Sequence, residues 1–430
     1  MTPAPATGAP PRPGRLLDGA VRYRSQDRRL ISGPQPDDLA AHLDRYGARQ
    51  RRQALDPDAL LEAFDAVALT GRGGGHYPVA AKWRTVLHAG GGGYVVANGA
   101  EGEPASAKDA ALLQHRPHLV LDGLAVAAEV LHAEVSVIWL HAGAAESVRA
   151  VTRALAERRA AGLVEPVVRV LTGPDHYLTG EAGAVLNGIA GRPAVPSFRL
   201  APAARTGLHD RPTLVQNVET LARVALLSRR GPRADQPGPL LSVAAGGLLT
   251  VCEPPPHTSL GRVLTETDAV DPHGPAPQAV LLGGYGGTWQ AWAQVAGLPL
   301  ANLGAAMLGA GIVAPLAADD CGLTRTAAML DHLARSSAGQ CGPCVFGTRD
   351  LADTMARVAA GRPRRGDERR LGQLTGEISG RGACALPDGA ARLAASAVQV
   401  FGADLREHLR RRPCRRPSGG AAAQLPGLQP

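Results

Sequence analysis

A chain of 430 residues exceeds what a single hydrophobic core usually organises, and 45% apolar with 20% charged residues places it among chains that fold into several domains, not among disordered ones. A formal charge of +8 would permit contact with nucleic acid, but 4 Phe, 6 Tyr and 4 Trp leave few surfaces on which bases could stack, so no nucleic-acid partner is expected. The longest apolar stretch, around 121–145, is interrupted by Glu129, His132 and Glu134, which excludes a membrane-spanning helix there and argues against direct membrane insertion.

In chain order, residues 1–35 are rich in Pro and Ala, contain no apolar secretory stretch and read as a disordered leader, with the cytoplasm as the default compartment. Residues 37–65 carry helical spacing in two pieces, the second opened by Asp56 and Pro57. A strand pattern at 93–98 is followed by a helical pattern from Asp109 to about His132, a strand at 134–141, a helix at about 144–161 and a strand at 165–173. Strands alternating with helices predict parallel βαβ units, whose ligands bind beyond the carboxyl ends of the strands. These elements form an α/β domain over 36–235, and the Gly/Pro-rich stretch 229–239 marks its end. Short strands at 240–253 and 278–287 predict a small mixed β module over 238–315. Helical periodicity from Thr324 to His408 predicts a helical bundle over 322–410, with 411–430 as a disordered basic tail.

Four segments carry chemistry. The run Gly71-Arg72-Gly73-Gly74-Gly75-His76-Tyr77-Pro78 lets main-chain N–H groups approach an anion or a flat ring without Cβ interference, and Lys82 follows with a point charge. A glycine-rich surface loop would look the same in isolation. Asn98-Gly99-Ala100-Glu101-Gly102-Glu103 directly follows a predicted strand, where an amide and two carboxylates can meet a cofactor or simply cap the next helix. The third segment contains Tyr177, Gly180 and Glu181 and continues through Arg199 to Val215, Gln216, Asn217 and Thr220. The fourth is Cys341-Gly342-Pro343-Cys344, with Cys384 downstream; six cysteines in a cytosolic chain, two of them in a CxxC, favour a metal or cluster site over disulfides, with a redox dithiol as the other reading of the CxxC. Among 46 basic residues, Lys82 and Lys108 are the only lysines, and both fall in these motifs.

Taken together over residues 35–410, these segments resemble the NADH-oxidising flavoprotein subunit of respiratory complex I, a family shared with NAD-linked hydrogenases and formate dehydrogenases. The resemblance implies a Rossmann-like FMN/NADH domain, a β-grasp-like domain and a helical bundle holding a 4Fe–4S cluster. It places Gly71, Arg72, Gly73, Gly74, Tyr77 and Lys82 in the flavin and NADH loop, and Asn98, Glu101, Gly102 and Glu103 on the family's flavin and dinucleotide segment. Tyr177, Gly180 and Glu181 would border both ligands, Val215, Gln216, Asn217 and Thr220 the flavin phosphate, and Arg199 the dinucleotide. It implies an FMN-dependent NADH dehydrogenase, or diaphorase, that passes electrons through the cluster to a ferredoxin-like or complex I-like partner, in the cytoplasm or peripherally on the inner face of a membrane complex. The chain departs from the family at Ala100, Ala182 and Gln216, and at Ala338, where the first cluster cysteine is absent. Cys321 is therefore expected to fold back and complete a ligand set with Cys341, Cys344 and Cys384. The same departures define a second reading, a binding or assembly paralogue that kept the fold and lost NADH or cluster binding.

Overall fold

The computed structural model describes residues 30–31, 35–49, 55–163, 166–232, 238–412 and 414. Helices α1 (Leu39–Tyr46), α2 (Pro57–Ala66) and α3 (Val79–His88) precede the first sheet. Asp38 and Asp56 accept hydrogen bonds from the free N–H groups at the starts of α1 and α2, and Pro57 occupies the first helical position of α2, where its missing N–H costs nothing. Then follow β1 (Tyr94–Asn98), α4 (Lys108–His115), α5 (Pro117–Val130), β2 (Val135–His141), α6 (Ala145–Ala160), β3 (Val168–Gly173), α7 (Ala182–Ile189), β4 (Thr213–Asn217) and α8 (Val218–Arg230). The four strands are parallel in the order β3-β2-β1-β4. The single helix expected between 109 and 132 is two helices, because Pro117 lacks the N–H that would continue the ladder and Arg116 leaves the helical region.

Alternation along the strands divides this sheet into two apolar faces. Val95, Ala97, Ile138, Leu140 and Leu214 pack with α4, α5 and α8, whereas Val96, Val137, Trp139 and Val215 pack with α7. A parallel sheet covered on both faces is the doubly wound arrangement that the alternation of strands and helices predicts.

The second unit contains β5 (Leu241–Ala245), β6 (Leu248–Cys252), α9 (Leu260–Glu266), β7 (Ala279–Leu282), β8 (Thr288–Ala291), α10 (Trp292–Val295), α11 (Leu300–Leu308) and β9 (Ile312–Leu316). Its mixed sheet has the order β6-β5-β9-β7-β8, with β5 and β9 parallel and the other pairs antiparallel. The bundle follows as α12 (Gly322–Arg335), a π-helical turn over Pro343–Thr348, α13 (Arg349–Ala359), α14 (Asp367–Ile378), α15 (Leu386–Val400) and α16 (Gly402–Leu409). Its core includes Leu330, Met355, Leu374 and Leu393 and is continuous with Trp289 and Ile312 of the second sheet.

Two terminal expectations are corrected. Leu30 and Ile31, assigned to the leader, are fully buried and donate their main-chain N–H groups to Glu253 at 3.1 and 3.0 Å. Cys414, assigned to the tail, packs against the bundle core and donates its N–H to His408 at 3.0 Å. The remainder of the leader and tail lies outside the described residues.

Candidate active site

In the first sheet β1 lies between β2 and β4, so successive connections leave β1 and β4 on opposite sides and open a crevice beyond their carboxyl ends. Asn98 and Asn217 end these strands as partners in register. The glycine loop crosses above them, closed by a Thr70–Pro78 bridge and tied down where the Arg72 N–H donates to Thr220 Oγ1 at 2.9 Å. A Cβ added to Gly73 would lie 3.4 Å from Asn217, whereas Gly74, at φ +91°, and Gly75 would meet nothing within 4 Å. The loop thus rests on the strand end and turns main chain toward open space, a cradle that side chains would fill. From α3, Lys82 reaches the rim of β4 and donates to the Val215 carbonyl at 2.6 Å; burial pulls its ammonium down to about 8.

Behind the loop lies a buried charged knot. Lys108 Nζ stands 2.6 Å from Asp109 and 3.2 Å from Glu219, and Arg223 pairs with Glu219 at 2.8 Å. Burial works against the Glu219 carboxylate, but Lys108, Arg223 and Arg72 hold it down to about 2. Repulsion from Arg223, reinforced by burial, pulls the Arg72 guanidinium down to about 10, and its Nε is buried without a hydrogen-bond partner. Gln216 Oε1 is likewise buried and unpartnered. Two crowded guanidiniums, an unused N–H and the start of α8 together favour an anion. The sequence reading missed Arg223 and Glu219; their i, i+4 spacing on one helix was the available signal.

Both acidic residues of the second motif are engaged inside the protein. Glu101 accepts from Ser106 Oγ at 2.5 Å and from the Ala110 N–H at 3.0 Å, which fastens the start of α4. Glu103 accepts from Tyr177 Oη at 2.6 Å, the Tyr285 N–H at 2.9 Å and the Gly286 N–H at 3.3 Å, so its carboxylate joins the two sheets. Close main-chain packing binds the third motif to the second: a Cβ on Gly102 would stand 1.8 Å from the Tyr177 carbonyl, and one on Gly180 2.3 Å from the Ala100 carbonyl. Asn98 Nδ2 donates to the Gly180 carbonyl at 2.7 Å. Glu181 caps α7 by accepting from Ala184 N–H at 3.0 Å; burial raises its carboxyl, against the pull of those N–H groups and of Arg199. Arg199 donates to the Thr206 carbonyl at 2.6 Å and lines an open groove of about 670 Å³ with Phe198, Leu200, Arg192 and Gln340. Tyr77, at the end of the glycine loop, is 57% exposed and free to cover a ligand.

Cys341, Cys344 and Cys384 come together, as expected, in one apolar cluster with Leu178, Leu386, Tyr177 and Ala338. Burial pushes the Cys344 thiol up to about 12, with Cys341 and Cys384 adding to the effect and the Ser337 hydroxyl opposing it. Three thiols sharing one pocket suit a bound iron–sulfur group, which takes them as thiolates. The donor set fits such a group through three protein sulfurs; Ala338, at the position where the resemblance places the family's other cysteine, packs in the same pocket. Cys321 does not join them. It precedes α12 and contacts His408, which bonds the carbonyls of Val358 and Ala359 at the far end of α13. Fourteen residues of mostly helical chain separate Cys344 from Val358, roughly 20 Å at 1.5 Å per residue, too far for one cluster.

Fold and site define a class: a doubly wound cofactor-binding domain joined to a mixed sheet and to a bundle with a cysteine pocket. Residues 65–226 match the family described as the Nuo51 FMN-binding domain, and residues 324–408 match the NADH-ubiquinone oxidoreductase-F iron–sulfur binding region. An F-type subunit of the NADH-quinone oxidoreductase of Rhizobium meliloti (strain 1021) is 31% identical over 412 residues, covering 90% of this chain and 98% of the relative. The NADP-reducing hydrogenase subunit HndC of Solidesulfovibrio fructosivorans is 25% identical over 92% of this chain and 84% of its own. The solved NAD+-reducing NiFe-hydrogenase in its air-oxidized state matches with a TM-score of 0.70 and 25% identity over 88% of this chain and 67% of that one. The chain belongs to the family of F-type subunits of NADH-quinone oxidoreductase. No helix among the described residues is long and apolar enough to cross a membrane.

Proposed function

We propose that this chain is an FMN-dependent NADH dehydrogenase component that passes electrons through a cysteine-held iron–sulfur cluster to an electron-transfer protein, ferredoxin-like or complex I-like, as a peripheral subunit. The observation that carries the reading is the arrangement at the β1/β4 crevice, where a glycine cradle, a half-buried ammonium and an arginine with an unused donor converge. When bound there, FMN supplies the chemistry that takes hydride from NADH and releases electrons singly.

The protein supplies position and charge. Gly71, Gly73 and Gly74 admit a flat ring or phosphate to main-chain N–H groups; Arg72, Thr220 and Asn217 at the start of α8 would hold the phosphate. Lys82 would place positive charge beside the ring. Arg199, whose charge reaches Glu181, lines the groove in which Phe198 would offer a stacking surface, 76% exposed, to an adenine. Glu103 is assigned to clamping Tyr177 against the second sheet. The turn Tyr177–Gly180 touches the crevice through Asn98 and the cysteine pocket through Leu178, which would keep the two redox sites adjacent. Cys341, Cys344 and Cys384 would hold the cluster.

Visible absorption of the purified protein tests the reading. Flavin bands bleached by NADH, with broader iron–sulfur shoulders, are expected. A folded, colourless protein that takes up no added FMN would overturn it in favour of the binding or assembly reading that Ala100, Ala182 and Ala338 allow.

A further inference from the structure

Away from the cysteine pocket, Cys321, His408 and Cys414 bring two sulfurs and an imidazole nitrogen to within 4.8 Å of one another. They come from three places: the residue that precedes α12, the last turn of α16, and the chain beyond it. Cys321 Sγ lies 3.9 Å and Cys414 Sγ 3.2 Å from His408 Nε2. A tetrahedral zinc with Zn–S of about 2.3 Å and Zn–N of about 2.0 Å needs donor atoms roughly 3.5–3.8 Å apart, the range these contacts bracket.

The surroundings are those of a metal-binding histidine. Nδ1 of His408 lies 3.0 and 3.2 Å from the carbonyls of Ala359 and Val358, two acceptors that require the proton on Nδ1 and leave Nε2 as an acceptor on the side of the sulfurs, where it takes the Cys414 N–H at 3.0 Å, a hydrogen bond that a bound metal would replace. Cys321 and His408 are each 1% exposed. The Cys321 sulfur sits at the positive end of α12, which favours the charge of a metal-bound thiolate. Asp320 steadies this corner by accepting from the Cys321 N–H at 2.8 Å and pairing with Arg325 at 2.7 Å. Cys414 is half-buried, leaving one side open for a fourth ligand such as water.

We propose that Cys321, His408 and Cys414 form a zinc site, separate from the iron–sulfur cysteines, that fastens the chain beyond α16 to the start of α12. Three protein ligands, two of them thiolates, suit a borderline-soft divalent ion, and binding releases the two thiol protons to solvent with no change of oxidation state.

The test is zinc analysis and zinc-edge X-ray absorption on the intact protein with its flavin and iron, so that only zinc is read. About one zinc per chain, surrounded by two sulfurs and lighter atoms, is expected. Cys414→Ser should cut zinc content roughly tenfold while flavin content and circular dichroism stay unchanged, and Cys344→Ser should leave zinc in place. A chelator should lower the melting temperature of the wild type and not that of Cys414→Ser. Absence of zinc after equilibration with micromolar metal, a three-sulfur environment, or loss of zinc in Cys344→Ser alone would overturn the proposal, as would a Cys321–Cys414 disulfide found by mass spectrometry.

Discussion

Lys82 and Lys108 occupy positions at which arginine would not serve. Lys108 is wedged between Asp109 and Glu219, and Lys82 between its helix and the Val215 carbonyl; in each place a compact ammonium fits and a planar fork would not. Lys82→Met should therefore leave the fold intact and make the bound flavin harder to reduce. Loss of a charge-assisted contact of about 1.5–3 kcal/mol corresponds to a midpoint potential lower by roughly 30–65 mV for a two-electron couple, read by dye-equilibrated spectrophotometry. An unchanged potential would remove Lys82 from the ring. Glu253 gives a prediction in pH. Burial pushes its carboxyl from 4.5 to about 7 despite the N–H groups of Ile31 and Leu30. Between those values the folded chain holds a proton that the unfolded chain has lost, so the contribution of this carboxyl to stability is greatest below 4.5 and declines as pH rises toward 7, by at most about 3 kcal/mol. The difference in melting temperature between the wild type and Glu253→Gln should therefore shift against the wild type as pH rises from 4.5 toward 7; a difference that does not change with pH would remove Glu253 as its source. The sequence marks both lysines by their rarity; the partners of Glu253 lie more than two hundred residues away, and nothing in its neighbourhood announces them.

At the scale of elements, the CxxC loop was legible because its spacing is a local property, whereas Cys384, far along the chain, was tied to it by the family resemblance, and the structure gathers all three. The fourth ligand was not legible, because its identity depends on where α13 sends the chain. Cys321 reads as a neighbour of the cysteines in sequence, yet the bundle uses the length of α13 to carry the His408 corner away from them. Ala338, packed in the same pocket, is therefore the position to change. Ala338→Cys should raise the iron content of anaerobically purified protein toward four per chain and alter the low-temperature electron paramagnetic resonance signal. The same iron content in both proteins would show that the fourth corner is already filled or lies elsewhere. Strand β9 illustrates a different limit. Ile312–Leu316 is short and apolar, and only its place between β5 and β7 makes it a strand at the centre of a sheet.

The whole molecule is organised about Glu103. Its carboxylate receives donors from Tyr177 and from the Tyr285–Gly286 turn of the second sheet, while the Tyr177 ring packs beside His332 of α12. One side chain thus ties the cofactor domain to the mixed sheet and, through its partner, to the bundle. Glu103→Ala leaves those donors facing an apolar seam and should destabilise the protein by on the order of 3 kcal/mol in urea unfolding. Separation of one transition into two would be the clearer sign, since the clamp holds units that each have their own core. Tyr177→Phe, which removes one donor and keeps the ring, should cost less. An unchanged midpoint in Glu103→Ala would show that the domains need no clamp.

Local pattern alone was enough for a parallel α/β domain from the alternation of strand and helix, an acidic turn at a strand's carboxyl end, a glycine loop open to a flat ring or an anion from its composition, and a CxxC from its spacing. Tertiary structure decided which of those groups face a ligand and which face each other. Glu101 and Glu103 are spoken for within the protein, Arg72 keeps an unused donor at the crevice, and Cys321 sits with His408 and Cys414. The reason is one of range. Periodicity and turn chemistry act over a few residues, whereas the partner of a buried charge or thiol is set by packing between elements that the chain reaches only after folding.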